Sequence, residues 1–528
     1  MKRFILKTAA LAFVVASIFN SCTKKLDLQP TNDVTAAIAY STPLGYKQNL
    51  GKVYGAFALT GNYGPGSGDI AGIDAGTSDF FRLFWKAQEL STDEAVVAWG
   101  DPGIQDFHLM NWGPTNPMLQ GLYYRSLYQI SVANEFLRQS TDDKVASRGI
   151  TGVDATNIKQ YALEARFIRA YQYWVLMDLF GNPPFTTEAD VVGVTIPKQT
   201  TRTELFNYIE SELKAIETPM IAAKTNEYGR ADKAASQALL ARLYLNAKVY
   251  TGTARYNDAI TYAKKVVDAG YTPISNYTQL MLADNHTNTS ENIFTINFDG
   301  LKTQNWGGTT FLTHASIGGS MNAADYGVDG GWYGIRTTKS IVDLYGDLST
   351  NQDKRAMFYN NGQNKEINDL TNFNDGFAVT RFKNKTKAGA TGASLTWVDI
   401  DMPIFRIAEM YLIYAEGVTR GGTTGDIATA TGYINILRTR AYGNVTGNIA
   451  PGQLTTDFIL DERAKELMWE GFRRTDLIRY DKFTEGTYLW PWKGGAKDGT
   501  SVSAFRKLYP IPSSDLTSNP NLKQNTGY

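Results

Sequence analysis

Two stretches of the 528-residue chain, residues 61–79 and 299–335, are rich in glycine and poor in charge and break the helical pattern, so we predict loops there. Large aromatic side chains within or after them include Trp99, Trp112, Trp306, Tyr326, Trp332 and Tyr333. Glycine has no side chain to cover a neighbouring indole face. A sugar ring has an apolar C–H face and a polar edge, so flat aromatic rings beside hydrogen-bonding groups suit it. These residues therefore predict a surface that binds a neutral sugar.

Core packing is the alternative for each of these tryptophans. For Trp112 burial in the core is the favoured interpretation, and Trp174 and Trp469 lie within helical stripes and are expected in the core as well. Trp306 and Trp332 have glycine neighbours, which favours an exposed ring face.

The sequence lacks the residue patterns that common catalytic sites need. The three histidines are scattered, no HExxH motif occurs, and the single cysteine lies near the N-terminus. A glycosidase needs two carboxylates across one bond, and no feature selects such a pair. Asp93 and Glu94 are expected to serve loop structure. We therefore expect no enzyme activity.

Phosphate and metal sites are not favoured either. The glycine run at residues 64–68 has no P-loop lysine. Residues 284–288 with Glu291 offer oxygen ligands that suit calcium, but a solvated turn is the favoured interpretation. We expect no cofactor and no metal.

The charge composition also favours a neutral ligand. Lysine plus arginine and aspartate plus glutamate each number 52, so nothing favours nucleic acid or another polyanion as a partner. With one cysteine, no disulfide can form within the chain, and stability must come from core packing, for which the length is ample.

The N-terminus is typical of a bacterial lipoprotein signal. Lys2, Arg3 and Lys7 precede an apolar run over residues 8–19, which is too short to span a bilayer, and Cys22 follows. We predict a signal peptide over 1–21, lipidation of Cys22, a tether over 22–40, and a single domain over 41–528. An ordinary secretory signal is the alternative.

Helical periodicity dominates the predicted domain. Apolar stripes at helical spacing run over residues 161–180, 205–216, 234–245, 256–267, 407–418 and 427–441, with a break at Gly421 and Gly422 between the last two. Thr201 with Glu204 fits a capping box, and Gly181 ends the first of these helices. The pattern predicts an all-α fold of tetratricopeptide-like helix pairs with long loop-rich insertions.

Five sequence blocks carry a resemblance to a known family. They are residues 164–185, 229–252, 402–417 and 461–483, with LYPIPSSDL at 508–516 before the final QNTGY. In this order behind a lipoprotein cysteine, they resemble the SusD/RagB family of outer-membrane glycan-binding lipoproteins. Residues 89–99, 305–312 and 488–502 are similar to a starch-binding branch of that family.

The resemblance implies a location, a ligand, a partner and a set of binding residues. It implies a lipid-anchored outer-membrane protein on the cell surface, which captures starch-like α-glucan and delivers it to a SusC-like TonB-dependent transporter. By the same resemblance the glycan-binding residues are Trp99, Trp306 and Trp332, with Asp74 and Arg82 as polar contacts. The sequence departs from that branch at Val97, which replaces a second tryptophan, and in the shorter loop at residues 100–103.

Two other functions stay open from the sequence. One is capture of a different neutral oligosaccharide or of peptides by the same kind of site. The other is a repeat adaptor that only docks a protein partner, which predicts that the tryptophans are buried or contact protein.

Overall fold

The computed structural model describes residues 35–190 and 193–528. The predicted signal peptide and Cys22 lie outside these residues. The helices are α1 (Ala36–Ala39), α2 (Pro43–Ala58), α3 (Phe80–Glu89), α4 (Asp106–Leu109), α5 (Pro117–Gln139), α6 (Asp142–Ser147), α7 (Gly152–Phe180), α8 (Arg202–Glu217), α9 (Lys233–Leu245), α10 (Ala247–Thr251), α11 (Tyr256–Asp268), α12 (Gly308–Ala315), α13 (Lys339–Asp343), α14 (Ile407–Thr419), α15 (Ile427–Tyr442), α16 (Thr456–Glu466), α17 (Arg473–Arg479) and α18 (Ser513–Ser518).

The strands are short and pair only in twos. They are β1 (Val96–Val97), β2 (Pro184–Phe185), β3 (Lys198–Gln199), β4 (Asn292–Ile296), β5 (Ile335–Arg336), β6 (Phe358–Tyr359), β7 (Ala378–Val379) and β8 (Met402–Arg406). The antiparallel pairs among the described residues are β1 with β5, β2 with β3, β4 with β8, and β6 with β7.

The long helices stack side by side in chain order. Helix α5 packs on α7, α7 on α8, α8 on α9, α9 on α11, α11 on α14 and α14 on α15. Each helix thus buries two faces against its neighbours, as in helical-repeat proteins. The all-α prediction with tetratricopeptide-like helix pairs is confirmed.

Local sequence signals explain where these helices begin and end. The Thr201 hydroxyl accepts the Glu204 N–H, and the Glu204 carboxylate accepts the Thr201 N–H, so the predicted capping box starts α8. Gly181 ends α7 with a φ of 76°. Ala234, Ala238 and Ala241 are fully buried and let α9 approach its neighbours closely.

Helix α7 is longer than predicted, since it begins at Gly152 and not near Tyr161. In its first nine residues only Ile158 is buried. Without an apolar stripe, these turns carry no periodic signal.

The stretch 299–335 is not wholly irregular, and that part of the prediction is wrong. It contains α12, a helix of eight buried residues. Gly307 and Gly308 allow close contacts: a Cβ on Gly307 would lie 2.1 Å from the Asp79 Cβ, and one on Gly308 would lie 2.2 Å from the Phe298 ring. The glycines permit tight packing at the start of a helix there.

The folded body begins earlier than residue 41. Residues 36–39 form α1, and Tyr40 is buried against Tyr46 and Phe136 with ring centroids 5.1 and 6.1 Å away. The last residues of the predicted tether therefore pack on the scaffold.

Buried ion pairs join the C-terminal helices to β8. Glu466 at the end of α16 contacts Arg406, Arg440 and Arg355, with 2.7 Å between its Oε1 and the Arg406 Nη1. Burial alone would raise the pKa of Glu466, but the neighbouring guanidinium groups outweigh burial and lower the pKa to about 2. Glu291 pairs with Arg406 and Arg440 in the same cluster. We call these five residues the buried charge cluster.

Candidate functional site

Four tryptophans lie in a row on the loop side of the molecule, in the order Trp99, Trp332, Trp306 and Trp397. Neighbouring ring centroids are 6.4, 6.1 and 4.4 Å apart, and the planes turn by 44°, 53° and 58° from one ring to the next. Each ring is half-buried. We call this row the aromatic strip; each of its rings is tilted against the next.

Trp99 is fixed by the small sheet that joins the two loop regions. Strand β1 ends at Val97 and pairs with β5, and the Ala98 N–H continues the pairing by donating to the Gly334 carbonyl over 2.8 Å. The Trp99 indole lies against Gly334, where a Cβ would be 2.4 Å from the ring, and its N–H donates to the Trp332 carbonyl over 2.9 Å. Val97 itself is fully buried, so it offers no platform.

Trp332 stacks on His314, a buried side chain of α12. The two rings are 4.7 Å apart and 17° from parallel. The His314 ring nitrogens contact the Gly330 carbonyl at 2.7 Å and the Thr396 carbonyl at 3.0 Å. Burial lowers the pKa of His314 even though both carbonyls favour the protonated ring. His314 thereby ties the Trp332 loop to the loop that carries Trp397.

Arg82 lies beneath the strip and orients Trp306. Its Nη1 donates to the Trp306 carbonyl over 2.7 Å and to the Gly76 carbonyl over 3.1 Å. Its guanidinium lies 5.7 Å from the centre of the Trp99 ring. Burial lowers the pKa of Arg82 to about 10, so the group stays charged at neutral pH. Its Nη2 makes no hydrogen bond to any described residue, which leaves this N–H group for a ligand.

Asp74 is exposed and lies near Trp306 of the strip. Its Oδ1 accepts the Thr77 hydroxyl over 3.0 Å. A Cβ on Gly76 would lie 3.2 Å from this oxygen and 3.9 Å from the Trp306 ring. The structure thus brings together all five residues predicted for the site.

Trp397 was missed by the sequence reasoning. It follows a polar stretch at residues 385–396, which contains glycines as the two predicted loops do. This composition is the sequence signal that could have indicated a third loop with an exposed tryptophan. Asp399 fixes its loop: the Asp399 carboxylate accepts the Gly300 N–H over 2.7 Å and the Ala393 N–H over 2.6 Å. Asp399 therefore holds together the two loops that present Trp306 and Trp397.

The other aromatic candidates lie elsewhere. Trp112 is buried and its N–H donates to the Tyr528 hydroxyl over 2.6 Å, and Trp174 and Trp469 are buried in the core as predicted. Tyr326 is buried as well and offers no platform. Tyr333 is 53% exposed, but its ring does not pack on the strip.

The acidic pair Asp93 and Glu94 serves structure, as expected. Both oxygens of Asp93 accept from the Arg473 guanidinium over 2.7 Å. Glu94 is buried and accepts the Trp469 N–H over 2.8 Å.

Residues 35–190 and 193–528 contain neither a metal-binding cluster nor a helix that could span a membrane. Within these ranges no group of three or more His, Cys, Asp or Glu side chains is arranged to hold a metal ion. No helix there combines the length and the hydropathy that crossing a bilayer requires.

Comparisons with known proteins place the chain in a family. Residues 346–528 match the model described as "SusD family", and residues 103–245 match one described as "Starch-binding associating with outer membrane". The chain is 36% identical to the "Starch-binding protein SusD" of Bacteroides thetaiotaomicron, over 99% of this chain and 98% of that protein.

Solved structures show the same fold. The chain is similar to surface glycan-binding protein A from Bacteroides fluxus, with a TM-score of 0.70 and 21% identity, over 92% of this chain and all of that one. It is also similar to surface glycan-binding protein A from Bacteroides thetaiotaomicron in complex with laminarihexaose, with a TM-score of 0.68 and 21% identity, over 91% and 98% of the two chains. With the 36% identity over nearly its whole length, the chain belongs to the SusD family.

Proposed function

We propose that the protein captures starch-like α-glucan on the aromatic strip. The observation that carries the proposal is the succession of tilted indoles in the strip: neighbouring ring planes stand 44°, 53° and 58° apart. An α-linked glucan coils, so its sugar rings also turn along the chain, and their apolar faces can meet successive indoles. The polar edges of the sugars would meet Asp74 and the free N–H group of Arg82.

The comparisons support a glycan and, within glycans, favour starch. The relative at 36% identity bears the name of a starch-binding protein. The structure that contains laminarihexaose shares only 21% identity and supports the fold alone. A β-glucan of the laminarin type is therefore the alternative ligand to be tested beside α-glucan.

The strip predicts weak binding of short chains. Each aromatic platform adds about 0.5–1.5 kcal/mol beyond burial, and ordering a flexible sugar chain opposes binding. We expect dissociation constants of roughly 10 μM to 1 mM for oligosaccharides. A polymer that offers many sites should bind with higher apparent affinity.

We further propose that the protein acts at the cell surface, with Cys22 lipidated in the outer membrane and residues 23–35 linking the lipid to the folded body. The captured oligosaccharide would pass to a SusC-like TonB-dependent transporter. The match to a model described as associating with the outer membrane supports this location. On this proposal the protein binds its ligand without changing it, since Asp93 and Glu94 are engaged in the core.

Affinity electrophoresis tests the proposal. The soluble protein lacking residues 1–22 is run in gels containing amylopectin, laminarin, dextran, mannan or no polysaccharide, beside a double variant with Trp306→Ala and Trp332→Ala. We expect amylopectin alone to retard the wild type and the double variant to run unretarded. Tyr433→Ala, which removes a half-buried ring stacked on Tyr411 in the helical scaffold, is the matched control and should behave as wild type.

Other outcomes would change the proposed ligand or the proposed function. Retardation by laminarin alone would replace α-glucan with β-glucan as the ligand. If no polymer retards the wild type, peptide capture or a protein-docking adaptor becomes the better interpretation.

A further inference from the structure

Tyr333 combines strain with exposure. Its φ is 52°, in the left-handed region that disfavours residues with a Cβ, and its side chain is 53% exposed. Gly330, Gly331 and Gly334 stand on either side, yet this position is held by a tyrosine. An aromatic residue kept in a strained conformation with its ring in solvent suggests a function for that ring.

The ring is held apart from the aromatic strip. Its one aromatic neighbour among the described residues is Phe373, with ring centroids 5.7 Å apart. Both rings lie on Gly318, where a Cβ would be 2.7 Å from the Tyr333 ring and 2.8 Å from the Phe373 ring. The Tyr333 N–H donates to the Ile317 carbonyl over 3.0 Å, which fixes the backbone. The platform is therefore built into the fold.

Neutral polar side chains lie close to this platform. Ser320, two residues after Gly318, contacts the Tyr359 hydroxyl at 2.9 Å and donates to the Asn361 carbonyl over 2.7 Å. Asn374 follows Phe373, and its Oδ1 would lie 2.7 Å from a Cβ on Gly319. The Asn361 and Asn374 amides are exposed and make no side-chain hydrogen bond to any described residue.

We propose that Tyr333, Ser320, Tyr359, Asn361 and Asn374 form a second sugar-binding patch, which contacts a further part of the same neutral polysaccharide. An exposed ring face with amides and hydroxyls nearby and no charged member suits a neutral sugar. This inference rests on the proposed function. Because one polymer can reach both the patch and the strip, the patch raises affinity for polymer and leaves that for short chains unchanged.

Tyr333→Gly is the sharpest test, because glycine removes the ring and accepts the left-handed backbone without strain. Its thermal midpoint should stay within about 2 °C of the wild type or rise. We expect the apparent dissociation constant for amylopectin in affinity gels to rise at least about fivefold, as loss of a second contact predicts. That for maltotriose, measured by calorimetry, should change less than about twofold, since one short chain uses the strip alone.

Tyr63→Gly is the matched control, since it removes a tyrosine ring that is 93% exposed in a different glycine-rich loop. It should leave both affinities unchanged. If Tyr333→Gly weakens maltotriose as much as amylopectin, Tyr333 belongs to the strip and the second patch is wrong. An unchanged amylopectin affinity, or an equal loss in Tyr63→Gly, also overturns the patch while the proposed function stands. If the wild type binds no polysaccharide, the proposed function itself fails.

Discussion

The helical scaffold and the loop face of this protein are stabilised by different means. In the scaffold, charged side chains such as Arg406 and Glu466 are fully buried and pair with each other. On the loop face, the indole rings of the aromatic strip are half-buried, and hydrogen bonds between side chains and backbone groups hold their loops. The charged groups of the scaffold thus find their partners inside the protein, whereas the indoles of the strip keep ring faces exposed to a ligand.

This difference implies that stability and binding can be changed separately. Removing a member of the buried charge cluster leaves one charge in the interior uncompensated, although its partners keep other ion pairs, and this is costly. Removing a half-exposed ring from the strip leaves no such charge.

Glu466→Gln should destabilise the protein most. Three arginines lose the carboxylate that they share, so we expect the free energy of unfolding to fall by about 3–5 kcal/mol, measured by urea denaturation. The glycan affinity of the folded fraction should not change. Lys264→Ala breaks an exposed pair with Asp268 and is the control, with a loss below about 0.5 kcal/mol. Equal effects of the two variants would contradict the importance of the buried charge cluster.

Asp401 lies at the boundary between the two regions, directly before β8, and should make stability depend on pH. Its carboxyl accepts the Phe298 N–H over 2.8 Å and the Tyr228 hydroxyl over 2.9 Å. Burial raises its pKa from 3.8 to about 7. The folded state therefore holds a proton that the unfolded chain releases, and this stabilisation is complete below about pH 4 and is lost as the pH rises through about 7.

Asp401→Asn tests this, because asparagine stays neutral at every pH. The stability of the wild type relative to the variant should fall by about 1–4 kcal/mol between pH 4 and pH 8, measured by thermal unfolding. A difference that is constant over this range would show that Asp401 ionises normally in the fold.

Trp397→Ala should have the smallest effect. Its ring packs against Trp306 at the end of the strip. We therefore expect a two- to fivefold loss of affinity for long oligosaccharides, which corresponds to about 0.5–1 kcal/mol, and little change in stability. Calorimetric titration with maltoheptaose measures it. A loss as large as that of Trp306→Ala would show that Trp397 is a central platform and not a terminal one.

Much of the scaffold could be predicted from the sequence, because burial there follows helical periodicity. The stripes in α8, α9 and α11 and the capping box at Thr201 appear in the structure where the sequence indicates them. The start of α7 and the helix α12 could not be found in this way. The former is exposed on most sides, and the latter is short, fully buried and preceded by glycines.

On the loop face, the sequence indicates that tryptophans form the site, but it does not indicate all of the tryptophans that belong to it. Trp306 and Trp332 were indicated by their glycine neighbours and do lie together. Trp397 comes from a third loop, and only the contacts of Asp399 and His314 show that this loop meets the others. Tyr326 has the same type and setting as Tyr333, yet it is buried, because burial in an irregular loop depends on long-range packing that no local pattern records.

A crystal structure of the protein with maltoheptaose tests the central claim most directly. We predict glucose rings stacked on Trp306 and Trp332, with hydroxyl groups within hydrogen-bond distance of Asp74 and the Arg82 Nη2. Density for the sugar at a different surface, with the four indoles of the strip uncovered, would contradict the account.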